Sequence, residues 1–562
     1  MKRNSILMLT AGLIGLSISS CKKNLILTPN DAVTQTQVFD NPTGITQAMA
    51  KVYGAFALTG NEGPAGQPDI QGIDEGTSDF FREYWDMQDL TTDEPVYTWN
   101  DPGIYDMQND VWSATNVNVQ GLYDRSLYQI TLINNFLQQT TPALMAKYGI
   151  SGANLTTINY YRAEARFLRA YQYWVLMDVY GNPPFVTENT VIGSGYPPQI
   201  SRPALYAYVV SELKAIDPLM VKPGQNQYGR ADEAAVWALL ARVYLNSGVY
   251  TAPANSSFSS YTKGDVTDAI TYASKVIAAG YHLVPDFTEL FLADNHLCAG
   301  AQGDGPATQN EFIFTINYSG VFTQGYGGLQ YLTHGGTVGS MPVDSMGAES
   351  GGYDELRAKP AIPNLFPTPP YTDGSHWPNN GNPDTRAEFW YPGQQLAVTS
   401  QPTESDGLGV TKFRNVTRTG AAGDTSSTTF SNIDLPVFRL PEMYYIYAEA
   451  TLEGGSGGSM TTATNYMNTV LTRAYGGSTA GNINSSQLTL QFILDERGRE
   501  FFWEGFRRTD LIRYGLFTSS SYVWPFKGGI ASGTGLPSFR NLMPIPESDL
   551  SANPNLKQNP GY

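Results

Sequence analysis

Apolar residues recur at helical spacing in several separated segments of this chain. Within residues 157–180, Phe167, Tyr171, Trp174 and Val175 fall on one face, and residues 202–217 follow as a partner helix. Residues 232–247 pair with 264–280, and Ala234, Ala235, Ala238 and Ala241 are small enough for a neighbouring helix to approach closely. Residues 439–453 and 461–474 make another pair, followed by 488–505. Nearer the N-terminus, residues 41–58 put Ile45, Met49, Val52, Tyr53 and Phe56 on one side, and residues 111–139 carry Leu122, Leu127, Ile130, Ile133 and Leu137. Glu311 to Ile316 reads as a short strand. Trp174, Trp237 and Trp503 sit within helical patterns and are expected in the core.

Charge adds a second pattern. Asp495 to Gly515 reads as one amphipathic helix and its exit, with Phe501, Phe502, Trp503 and Phe506 as an aromatic block. Glu496, Glu500 and Glu504 recur every four residues along one side of it. Glu504 stands four residues before Arg508, the favourable order for a helical ion pair, but neighbouring glutamates repel, so the acidic line needs cations from elsewhere. Arg162, Arg166 and Arg169 form a basic face on residues 157–180, and we expect the two lines to pack together as structural rather than catalytic features.

Between the helices lie long irregular stretches, residues 60–102 and 281–437, rich in glycine, proline and aromatic residues. Loops of this length are functional or disordered, and their aromatic content argues against disorder. Sugar rings offer apolar faces that stack on aromatic rings, and their hydroxyls need directed polar partners. On that ground the candidate ligand-binding residues are Arg82, Trp85, Trp99 and Asp101 in the first stretch and Tyr326, Tyr331, Tyr353 and Trp377 in the second. The alternative is that each aromatic caps the small core of its own loop.

Enzyme signatures are weak. The histidines His282, His296, His334 and His376 show no zinc-site spacing. Gly454 to Gly458 spells G-x-S-x-G but follows a predicted helix, whereas a nucleophile elbow needs strand, turn and helix. A glycosidase needs two carboxylates about 5–10 Å apart, and no motif nominates such a pair. No EF-hand pattern is present and no cofactor or metal site is nominated, while a calcium ion in a carbonyl- and Asp-lined loop stays open.

Met1 to Ser20 has a charged start, Lys2 and Arg3, and an apolar run from Ile6 to Leu16 that is too short to span a membrane. It ends in Ile18-Ser19-Ser20-Cys21, the form of a lipoprotein cleavage site, which makes Cys21 the expected acylated residue and the membrane anchor. The second cysteine, Cys298, then has no partner for a disulfide. A formal net charge of −17 argues against nucleic acid as a partner. With 562 residues the chain exceeds the usual single-core size of ~250–300, yet no clean linker divides it.

The segments EARFLRAYQYWVLMDVYGNPP, GRADEAAVWALLARVYLNSG, LPVFRLPEMYYIYAEATLEGG, ERGREFFWEGFRRTDLIRYG and MPIPESDLSANPNLKQNPGY resemble, in order, successive blocks of the SusD/RagB family. The resemblance implies a mainly α fold, a tetratricopeptide-like scaffold of helical pairs with large irregular insertions and a few short strands. It divides the chain into a signal peptide (1–20), a lipidated tether (21–42), an N-terminal helical region (43–280), a loop-rich insertion carrying the ligand-binding loops (281–437) and a C-terminal helical region (438–562). It implies a surface lipoprotein of the outer membrane that captures oligosaccharide, or as second choice oligopeptide, and delivers it without catalysis to a SusC-like TonB-dependent transporter, closing over the barrel as a hinged lid. Lys22 and Lys23 follow the cysteine where relatives often carry acidic residues, which leaves the leaflet open. A lipid-anchored glycosidase and a purely structural lid remain as rival readings.

Overall fold

The structure is a computed structural model that describes residues 34–562, except 65, 192, 194, 254–261, 349–351 and 424–428. The expected signal peptide, Cys21 and the first part of the tether lie outside the described residues. The last part of the expected tether is helical rather than extended: Gln35–Phe39 forms a short helix closed by a capping box between Thr34 and Gln37.

The principal helices are α1 (Pro42–Gly54), α2 (Phe80–Trp85), α3 (Val117–Gln139), α4 (Gly152–Val179), α5 (Arg202–Ile216), α6 (Glu233–Leu245), α7 (Val266–Ile277), α8 (Leu329–Gly335), α9 (Leu440–Leu452), α10 (Met460–Ala474), α11 (Leu490–Phe501) and α12 (Arg507–Arg513). The six strands among the described residues are β1 (Pro95–Tyr97), β2 (Phe312–Ile316), β3 (Leu356–Ala358), β4 (Phe389–Gln395), β5 (Gly407–Val410) and β6 (Leu435–Arg439). The fold is mostly helical, as expected. Among the described residues no helix is long and apolar enough to cross a membrane.

The predicted pairs form: α4 packs on α5, α6 on α7 and α9 on α10, and α7 also packs on α9, so the pairs stack on one another. The alanines of α6 are buried in that packing. Helix starts follow side-chain caps: Asp232 accepts from the Ala234 and Ala235 N–H groups at the start of α6, and Thr489 accepts from Phe492 N–H at the start of α11. Phe167, Tyr171, Trp174 and Val175 are buried along α4. The strands make an antiparallel sheet in the order β1-β3-β5-β4 and a separate pair, β2-β6.

The structure also corrects expectations about the charged and irregular stretches. Residues 495–515 are two helices, not one. Helix α11 stops at Phe501, Trp503 and Gly505 take left-handed backbone conformations, and α12 begins at Arg507. The stop is set from far away: the Glu94 carboxylate accepts from Trp503 N–H at 2.8 Å and the Asp89 carboxylate from Gly505 N–H at 2.8 Å. Residues 60–102 are accordingly not an irregular surface stretch throughout, because α2, the π-helical turn Asp86–Leu90 and β1 are buried in the core.

The basic and acidic lines also do not meet. Arg166 makes a bidentate pair with Glu212 of α5, both contacts 2.8 Å; Arg169 binds Glu212 and Glu188; Arg162 binds the Leu137 carbonyl. The acidic line instead meets cations from β6, α10 and the loops around β4 and β5. Arg386 contacts Glu496 at 3.0 Å and Glu500 at 3.2 Å, Arg439 and Arg473 contact Glu500, and Lys412 and Arg439 each contact Glu504 at 2.7 Å. Glu504 is therefore not the partner of Arg508, whose guanidinium reaches the Arg540 carbonyl. Glu496, Glu500 and Glu504 and the cations that meet them, Arg386, Lys412, Arg439 and Arg473, are buried. Burial alone would push the Glu500 carboxyl up, but Arg473, Arg439 and Arg386 overcome it and hold Glu500 well below the usual carboxylate range.

Candidate ligand-binding site

Two short strands that are distant in sequence build the site. β1 pairs antiparallel with β3 in the register Pro95↔Ala358, Val96↔Arg357 and Tyr97↔Leu356. The ladder runs on past the strand ends, with Thr98 N–H donating to the Glu355 carbonyl at 2.8 Å and the Thr98 hydroxyl to the Asp354 carbonyl at 2.9 Å. This register sets Trp99, just after β1, beside Tyr353, just before β3. Their ring centroids are 5.8 Å apart at 38°.

Tyr353 is held firmly. Gln330 of α8 donates to its hydroxyl at 2.9 Å, its own N–H donates to the His334 carbonyl at 2.9 Å, and the His334 ring lies 5.1 Å away. Trp99 leans on this support and is 42% exposed. The pair is a fixed aromatic step with one face toward solvent.

Beside the step lies a charged floor. Arg82 of α2 is buried, its guanidinium 4.5 Å from the Tyr331 ring centre, and its Nη2 is 3.4 Å from Asp101 Oδ2 and 3.4 Å from the Tyr97 hydroxyl. The Tyr97 hydroxyl lies 2.7 Å from Asp101 Oδ2 and also touches the Glu355 carboxylate. One hydroxyl hydrogen cannot serve two ionised carboxylates. Consistent with this, burial pushes Glu355 up to about 7 against the pull of Arg82, so Glu355 carries its own proton over part of the neutral range. Asp86, whose Oδ1 accepts from the Tyr331 hydroxyl at 3.3 Å, is likewise pushed up to about 7 by burial. Asp101 keeps a side chain 41% open to solvent next to Trp99. The surface thus offers the Trp99 ring and the Asp101 carboxylate, with the buried Arg82 guanidinium holding that carboxylate from below.

Of the residues nominated from sequence, Arg82, Trp99, Asp101 and Tyr353 come together here. Tyr326 is carried on the segment that leads into α8, 43% exposed, with its ring 5.4 Å from Phe430. Trp377 belongs elsewhere: it packs 5.6 Å from Trp390, against a small separate core of Val338, Met341, Met346 and Ala348. Trp85 and Tyr331 are corrected to core positions. Trp85 is fully buried, near-perpendicular to both Tyr331 and Trp503 at 5.6 Å, and neither ring of the Trp85–Tyr331 pair presents a face to solvent. Glu355, Gln330, His334 and Tyr97 complete the site, and nothing local in the sequence marks them for it.

Cys298 is buried and free, with burial pushing its thiol up, and G-x-S-x-G lies in the turn after α9. Among the described residues no group of three or more His, Cys, Asp or Glu is placed to hold a metal ion. What the arrangement can do is bind: stack an apolar ring face and hydrogen-bond the hydroxyls around it.

Comparison with known proteins adds to this geometry. A SusD family profile matches residues 371–562. The starch-binding protein SusD of Bacteroides thetaiotaomicron is 33% identical over 579 residues, spanning 97% of this chain and 96% of that protein. The SusD-like protein P2 of Formosa agariphila is 27% identical over 445 residues, spanning 74% of this chain and 78% of that protein. Among solved structures, surface glycan-binding protein A from Bacteroides thetaiotaomicron, in complex with laminarihexaose, shares the fold with a TM-score of 0.65 at 21% identity, over 92% of this chain and 99% of its own.

Proposed function

The chain belongs to the SusD family, and we propose that it is a glycan-binding lipoprotein, held at the outer membrane through Cys21, that captures oligosaccharide and passes it to a SusC-like TonB-dependent transporter. The observation that carries the binding reading is the Trp99–Tyr353 step beside Arg82 and Asp101. An exposed indole backed by a fixed tyrosine gives a sugar ring its stacking surface, and the neighbouring Asp101 carboxylate, positioned by Arg82, answers its hydroxyls. The neutral glycan class fits this floor, because Arg82 is already balanced by Asp101 and has no surplus charge for an anionic polymer. The relatives named for starch and for surface glycans support the same class. Catalysis is not part of the reading: the relatives are named as binding proteins.

The test is a binding panel on the full chain with starch-type and β-glucan oligosaccharides, neutral peptides and uronic-acid polymers, with Arg82→Met alongside the wild type. Binding to one neutral glycan class, weakened in Arg82→Met with the fold retained, supports the reading. Exclusive binding to peptides, or release of cleaved product during the assay, would overturn it. For the anchor, fatty-acid labelling should be lost in Cys21→Ala; label retained in that variant would refute lipidation there.

A further inference from the structure

A second, open pocket, away from the aromatic step, is built by α1, the turn 226–230 and the strand β2, with a volume of about 680 Å³. That is within the roughly 300–1,000 Å³ typical of small-molecule sites. Tyr53, Tyr161 and Tyr228 line it. Their hydroxyls are already engaged with protein: Tyr53 donates to Glu164 at 2.7 Å and accepts from Ala231 N–H at 3.1 Å, Tyr228 donates to Asp434 at 2.7 Å, and Tyr161 sits 3.4 Å from the Thr46 hydroxyl. What the three residues have left to offer is ring surface, fixed in place.

Arg230 is the one charged residue in the wall, and it is neutralised from behind by Glu164, with its Nε 3.0 Å from Oε2. Its guanidinium also lies 4.7 Å from the Tyr161 ring centre, so it is immobilised twice. Asn317 supplies a directed amide in the wall, its Oδ1 accepting from the Thr315 hydroxyl at 2.6 Å. Gly229 lets the turn approach Asn317, since a Cβ there would come within 2.6 Å of the amide nitrogen and its φ of +79° favours glycine. The wall is thus neutral, aromatic and amide-bearing.

We infer that this cavity is a second saccharide site that takes a short neutral oligosaccharide, separate from the Trp99–Tyr353 step. The ligand class rests on the carbohydrate reading above; the cavity stands on its own geometry. Thr323, in the same wall, precedes the exposed Tyr326 by three residues, so the segment that borders the cavity also carries that tyrosine.

The test uses the full chain in detergent with maltotriose and laminaritriose, read by calorimetry and by hydrogen-exchange protection. Two variants separate the sites: Trp99→Ala removes the aromatic step, and Ala50→Trp places an indole in the cavity from an exposed position of α1 without entering the core. The expected result is binding that persists in Trp99→Ala and weakens about tenfold when Ala50→Trp is added, with protection of residues 46–57 and 226–230. Protection confined to residues 97–101 and 353–355 would overturn this inference while leaving the function standing. Protection at the cavity alone would uphold it and sink the aromatic step. Binding in Trp99→Ala that ignores Ala50→Trp, or none at either site, would also overturn it.

Discussion

Glu500 is the keystone of the buried ionic cluster, and Glu500→Gln is the sharpest test of how that cluster holds α10, α11 and β6 together. The variant keeps the size of the side chain and removes its charge, leaving Arg386, Arg439 and Arg473 facing one another around a neutral amide. Removing one partner of a buried ion pair costs about 3–5 kcal/mol, a large share of a typical stability of roughly 5–15 kcal/mol. The effect should depend on pH. The three guanidiniums hold Glu500 below its ordinary value near 4.3, so its contribution is fully present above pH ~4.3 and is lost as pH falls. Each pH unit below that point removes about 1.4 kcal/mol from the wild type and nothing from the variant, so the gap should narrow by roughly 2 kcal/mol between pH 4.5 and pH 3. Urea unfolding followed by tryptophan fluorescence at those two pH values and at pH 7 measures it. A variant as stable as wild type, or a gap that does not change with pH, would refute the electrostatic account.

Two further outcomes follow from single residues. Burial pushes Asp434 up to about 7 against the hydrogen bonds from Tyr228 and Tyr318, so wild-type stability should fall as pH rises from ~4 through 7, and Asp434→Asn should flatten that fall; unfolding midpoints across the range that run parallel in both proteins would contradict it. Gly505 has φ of +81° and a Cβ there would come within 2.7 Å of the Tyr84 ring, so Gly505→Ala should lower stability by about 1–3 kcal/mol in thermal unfolding, and no shift would mean the α11–α12 break is not tightly set.

The helical pairs could be read from the sequence because a helix with one apolar face announces itself through local spacing alone. That is why α4 with α5, α6 with α7 and α9 with α10 match their predicted ranges to within a few residues. What failed was long-range. The end of α11 depends on a carboxylate 409 residues away in the chain, and nothing near Trp503 betrays it. The charged lines were real, but charges at helical spacing do not say which cations will reach them; Arg439 meets Glu504 and Glu500 only because β6 is paired to β2. At the site, composition picked out Trp99, Asp101, Arg82 and Tyr353 as aromatic and polar loop residues, yet it could not separate them from Trp85 and Tyr331, which have the same character and lie in the core. The β1–β3 pairing that makes the distinction joins Tyr97 to Leu356, far apart in the chain.

The central claim is that the Trp99–Tyr353 step is a glycan-binding surface. Titration of maltoheptaose and laminarihexaose into wild type and Trp99→Ala, with circular dichroism to confirm that the fold is kept, addresses it most directly. Aromatic stacking contributes roughly 0.5–1.5 kcal/mol beyond the burial of the ring, and the indole's buried area adds to that, so the account predicts a loss in affinity of about tenfold or more for the glycan that binds. Equal affinity in the two proteins, for whichever glycan binds, would contradict it.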